Sequence, residues 1–153
     1  MPPLVIDTPG ALRELVGREI GVSEWLQISQ ERIAQFAEAT EDRQWIHLDQ
    51  ERAHAQSPYG ATIAHGFLTL SLISHFIKEV IKIDGMRLAV NYGLNRVRFP
   101  APVKVDSRIR ASVALQALKE TGAWVDATFA VSIGSEASEK PNCVAEWIVR
   151  YYR

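Results

Sequence analysis

An α+β fold, in which a curved antiparallel sheet of five strands wraps around one long helix, is the architecture this sequence predicts. Two observations carry it. The stretch Thr62 to Lys82, TIAHGFLTLSLISHFIKEVIK, places Phe67, Leu68, Leu70, Leu72, Ile73, Phe76 and Ile77 on nearly every side of a helix. A surface helix carries its apolar residues on one stripe, so this one is expected to be buried, with the other elements around it. After Met86 the chain alternates with a period of two: Ile109, Ala111, Val113, Leu115 and Ala117, then Val125, Ala127, Phe129, Val131 and Ile133, then Cys143, Ala145, Trp147, Val149 and Tyr151. Each set is a long strand with one face on a core, and the short connections between them suit antiparallel pairing.

The remaining elements follow in order. Thr8-Pro9 opens a short helix to Val16, closed by Gly17. Ile20, Val22, Leu26 and Ile28 share a parity and predict a first strand over Glu19 to Ile28. Ser29 caps a second helix that buries Ile33, Phe36, Ala37 and Thr40. Between Glu41 and Ala61 periodicity fails; a helical turn near Gln50 to Ala55 and a turn at Ser57-Pro58-Tyr59-Gly60 are the only elements expected. From Arg87 to Phe99 the parity of Leu88, Val90, Tyr92 and Leu94 gives way to that of Val97 and Phe99, which predicts a bulge near Asn95-Arg96. Pro100 and Pro102 end that strand, and Gly134 to Asn142 is a polar loop.

Composition narrows the function. The 153 residues, read as a single domain over 1-153, are 47% hydrophobic and 23% charged, ordinary values for a globular protein. A formal net charge of -1 gives no reason to expect nucleic acid or an anionic membrane as partner. No signal peptide is expected at MPPLVIDTPG, and the apolar run of the central helix is too short and too polar for a bilayer. The lone Cys143 excludes an internal disulfide framework and points to the cytoplasm.

Chemistry concentrates before the central helix. Asp42 and His47 would point apart on a helix, and converge only if the chain leaves it after Thr40. Together, a carboxylate and an imidazole hold a water and act as base and acid near neutral pH. Gly66 stands where first-turn N–H groups lack intrahelical partners, an end suited to developing negative charge. Tyr59 is a candidate to line the same site. The four histidines do not read as a metal cluster, and no metal is expected. Arg87, Arg96, Arg98, Lys104, Arg108 and Arg110 read as outward strand charges that can also meet phosphates.

The segment Phe36-Ala37-Glu38-Ala39-Thr40-Glu41-Asp42-Arg43-Gln44-Trp45-Ile46-His47, followed by Ile63-Ala64-His65-Gly66-Phe67, resembles the MaoC-like dehydratases, which include the (R)-specific enoyl-CoA hydratases and the nodulation protein N branch. Arg98-Phe99-Pro100-Ala101-Pro102-Val103 resembles the Arg-Phe-x-x-Pro-Val of such domains. The resemblance runs from about Gly17 to Arg153. Gln44-Trp45 departs from the Asn-Pro of many members and matches the nodulation branch, which bears on substrate more than on chemistry.

The resemblance implies a hot-dog fold and reversible hydration of a trans-2-enoyl thioester of coenzyme A or an acyl-carrier protein, as in an (R)-specific enoyl-CoA hydratase, with no cofactor. It implies Asp42 and His47 as the dyad that activates water and the Gly66 N–H as receiver of the thioester carbonyl. It places Ser74 beside the substrate and implies a homodimer joined through sheet edges; Gln44, where many family members have Asn, and Tyr59, in the turn before the helix, are further substrate-site candidates. An acyl-CoA thioesterase of the same fold and a non-catalytic acyl-thioester binding protein are the alternatives.

Overall fold

The computed structural model describes residues Met1–Arg153. Strand β1 (Leu4–Ile6) and a 3-10 helix (Pro9–Leu15) lead into β2 (Arg18–Val22) and β3 (Leu26–Gln27). Helices α1 (Gln30–Thr40), α2 (Trp45–Leu48) and α3 (Gln50–Gln56) precede the central pair, α4 (Gly66–Ser71) and α5 (Ile73–Val80). Then come β4 (Ile81–Ile83), β5 (Leu88–Arg98), β6 (Arg108–Glu120), β7 (Trp124–Ser135) and β8 (Cys143–Tyr152).

The sheet runs β2-β6-β7-β8-β5, with β3 also on β6, and every pairing in it is antiparallel. The residues of β6, β7 and β8 that were expected on one face are buried, except Ala117. The register shifts between Leu115 and Ala117, which turns Ala117 outward and brings Leu118 to the core side. Against this face lie Leu68, Leu72, Ile73, Phe76 and Ile77 of α4 and α5. Phe76 is fully enclosed, a burial worth roughly 1.5 to 3 kcal/mol.

Three features differ from the sequence expectation. The central helix begins at Gly66 rather than Thr62 and is interrupted at Leu72. Ser71 Oγ donates to the Leu68 carbonyl at 2.8 Å, in competition with the Leu72 N–H bonded to the same oxygen, and such back-bonding bends helices. The helix also ends early, because β-branched Ile81 and Ile83 leave it to form β4, which pairs in parallel with the unforeseen β1. Nor is the helix enclosed on all sides: Phe67 is 70% exposed, and Ser71, Ser74, His75 and Lys78 face solvent.

The first strand is split, so that β2 and β3 pair separately with β6. In β5 the bulge expected near Asn95-Arg96 lies between Leu94 and Arg96, and a second shift lies between Asn91 and Gly93. As an edge strand, β5 leaves Leu88, Val90, Tyr92 and Leu94 exposed.

Candidate active site

Helix α1 sets the site's position. Ser29 caps it, accepting from Arg32 N–H at 3.2 Å, a bond of the kind worth about 1 kcal/mol, while Ile33 and Ala37 bury its inner face. Beyond Thr40 the backbone turns left-handed at Glu41 (φ 66), so Asp42 stands clear of the helix as its spacing from His47 required. Asp42 Oδ1 accepts weakly from the Gln44 N–H at 3.4 Å, and Gln44 caps the single turn α2 that carries His47.

His47 is buried, at 6% exposure, and its Nδ1 lies 2.7 Å from the Ile63 carbonyl. A carbonyl only accepts, so Nδ1 carries the proton and Nε2 is left with a free lone pair. Burial pushes the His47 pKa below the ordinary histidine value, with the nearby His65 acting in the same direction; the Ile63 carbonyl and Asp42 act against it. A ring nitrogen of His47, one of His65 and a carboxylate oxygen of Asp42 all lie within 4.8 Å of one another.

His65 is the member that sequence reasoning missed. It is 3% exposed, stacks on His47 with centroids 3.8 Å apart and planes at 24°, and packs its ring at 4.8 Å from that of Phe36. Its Nε2 lies 2.9 Å from the Asp42 backbone carbonyl. Gln30 was also missed: its amide donates to the His47 carbonyl at 2.7 Å and accepts from the Thr62 hydroxyl at 2.6 Å. The one sequence signal for His65 was its place beside Gly66; nothing marked Gln30. Asp42, His47 and His65 together offer three ligand atoms within reach of one ion, a grouping that the histidine spacing in the sequence did not suggest.

Gly66 opens α4, and its N–H makes no hydrogen bond to the protein's backbone. It lines a cavity of about 370 Å³ together with Tyr59, Thr69, Phe99, Pro102 and Asn142. Asp42 and His47 do not line that cavity; they connect to it through the His47 bond to Ile63, which does. Gln44 is exposed and touches Asp42 only through its backbone. Ser74 lies elsewhere, exposed over a cavity of about 590 Å³ with Asn91, Trp147 and Tyr151. Of the six basic candidates, Arg98 and Lys104 flank the Phe99–Val103 lining, whereas Arg108 and Arg110 lie over Trp25.

A family model described as the MaoC like domain matches residues 12–135. The chain belongs to the MaoC-like dehydratase family. This MaoC-like chain is 50% identical over 141 residues to the 3-hydroxyacyl-thioester dehydratase Z of Mycobacterium tuberculosis, covering 92% of this chain and 93% of that one. It is 44% identical over 135 residues to nodulation protein N of Rhizobium leguminosarum, covering 87% and 84%. Among solved structures, the unliganded R-hydratase of Pseudomonas aeruginosa superposes with a TM-score of 0.70 at 26% identity, over 88% of this chain and 79% of that one. The hot-dog arrangement of the MaoC-like chain, with its central helix against an antiparallel sheet, agrees with that likeness. No helix in it is long and apolar enough to cross a membrane.

Proposed function

We propose that the protein interconverts a 3-hydroxyacyl thioester and its trans-2-enoyl form by reversible addition of water, as an (R)-specific hydratase. The observation that carries the reading is a His47 left with a bare Nε2 and an Asp42 carboxylate beside it, bonded through Ile63 to the lining of the cavity where the free Gly66 N–H opens α4. The names borne by the mycobacterial dehydratase and the Pseudomonas hydratase support the same reaction class.

In the hydration direction, the thioester carbonyl accepts from Gly66 N–H, which also stabilises enolate-like charge; one such donor is worth about 3 to 4 kcal/mol. Water held between Asp42 and His47 gives a proton to the dyad as its oxygen bonds to C3. The dyad returns that proton to C2, so atoms and charge balance over the cycle. Tyr59 lines the cavity beside Gly66, and Gln44 holds Asp42 through its N–H. Metal and redox cofactors have no step in this scheme. The carrier is coenzyme A or an acyl-carrier protein. The working form is a C2 homodimer joined along β5, the long edge strand with an exposed apolar row.

The test is incubation with crotonyl-CoA and longer 2-enoyl-CoA substrates, following enoyl absorbance and free thiol together. Loss of absorbance with little thiol, giving (R)-3-hydroxyacyl-CoA, is the expected outcome. Thiol release matching or exceeding the loss of enoyl absorbance would establish a thioesterase instead.

A further inference from the structure

We infer that His65 is a positioning residue that ties the water-activating dyad to the oxyanion site; this rests on the hydratase reading above. Asp42 follows a left-handed residue and precedes a one-turn helix, and within its own segment only the 3.4 Å contact of its carboxylate with Gln44 N–H holds it. Its backbone carbonyl is held by His65 Nε2 at 2.9 Å. That carbonyl only accepts, so the His65 proton sits on Nε2. Because Gly66 is the next residue, a single bond sets the position of the Asp42 backbone against the N–H that receives the substrate carbonyl.

The same ring sets the second half of the dyad. His47 lies flat on His65, at 3.8 Å and 24°, while Phe36 packs on His65 with centroids 4.8 Å apart and planes at 51°. His47 is therefore fixed in its plane by stacking and in its rotation by the 2.7 Å bond to Ile63, leaving no freedom to swing from Asp42. His65 Nδ1 is buried without a partner. His65 acts through Asp42 and His47 and has no contact with substrate to make.

Two substitutions separate the donor from the ring. His65→Phe keeps a flat ring for His47 and loses the donor. His65→Gln loses the ring and can carry an amide N–H to about where Nε2 stood. Because displacements of about 1 Å at a site cost turnover near 10²-fold, His65→Phe is expected to lower kcat by about 10- to 100-fold with KM within about 3-fold. His65→Gln should recover part of that loss, the stacking on His47 being gone. A folded His65→Phe protein with kcat within about 2-fold of wild type would overturn the donor role. Should His65→Phe fail to fold, imidazole ¹⁵N spectra of the wild type decide without it: the proton on Nε2 of His65 and on Nδ1 of His47 at pH 7 is expected. A His65 proton on Nδ1 overturns the inference. These spectra need no turnover. A wild type inactive on every 2-enoyl thioester would sink the hydratase reading, while the spectra would still decide the tie to Asp42.

Discussion

The side-chain amide of Gln30 donates to the backbone carbonyl of His47 across 2.7 Å, and its oxygen accepts from Thr62 Oγ1 across 2.6 Å. One residue at the start of α1 thus fixes the turn bearing His47 and the segment leading to Gly66. Replacing Gln30 by Leu leaves both partners without it. We expect a loss of about 1 to 3 kcal/mol, because the orphaned groups keep their desolvation cost. Thermal unfolding checks this: about 2 to 4 °C per kcal/mol is the scale for a chain of this size. An unchanged melting temperature would show that water takes over both bonds.

For the dyad, Asp42→Asn and His47→Gln are each expected to lower hydratase turnover by about 10²-fold or more, the usual range for acid-base groups. Circular dichroism should show both variants folded. Near-normal turnover in either would remove that residue from the mechanism.

Gly66 offers a cleaner dissection. His65 has φ -59 and ψ 138, the extended conformation that a following proline prefers, and proline is tolerated at the first helical position. Gly66→Pro therefore deletes the N–H while leaving the helix start intact. A Cβ at this site comes within 3.1 Å of the Phe99 ring, so Gly66→Ala controls for crowding while keeping the N–H. The expected result is a modest effect for Ala and a loss of about 10²- to 10³-fold in kcat for Pro. Equal losses would mean that the Phe99 contact, not the N–H, is what matters.

Activity should fall with acid along a limb set by His47. Burial holds its folded pKa below the ordinary 6.5, so the neutral ring with its free Nε2 persists to lower pH than an exposed histidine allows. Stability has the same sign: below pH 6.5 the unfolded chain binds a proton at this site that the folded one resists. His47 thus costs the fold stability as pH falls from 6.5 through its folded value. A kcat/KM profile whose acid limb lies at or above 6.5 would contradict this, as would no limb at all.

Assembly is checked by light scattering at micromolar concentration, where a dimer is expected. Leu94→Glu, on the exposed row of β5, and Phe67→Asp, on the exposed side of α4, should each shift the protein toward monomer. A wild-type monomer would count against the proposed pairing of edges.

Much of the fold was legible because period-two burial leaves a mark on every other residue. The alternations of β6, β7 and β8 predicted their buried faces down to single side chains, with Ala117 lost to a bulge that periodicity does not encode. The departure of Asp42 from α1 was readable from the end of the apolar spacing at Thr40. The break at Leu72 was hidden: a serine hydroxyl competing for one carbonyl is a local bond, invisible in hydrophobic pattern. β4 was hidden too, since Ile81 and Ile83 read equally well as helix until β1 offers them a partner.

The sequence by itself singled out the candidates Asp42, His47 and Gly66, because together they resemble a family motif. What only the tertiary structure decided is their state. The tautomer of His47 follows from the carbonyl of Ile63, and its lowered pKa from burial. The hold on Asp42 follows from His65, and the hold on the His47 turn from Gln30. Each depends on atoms brought together across 16 to 23 residues of chain, and hydrogen bonds between such distant positions leave no periodic trace in a sequence.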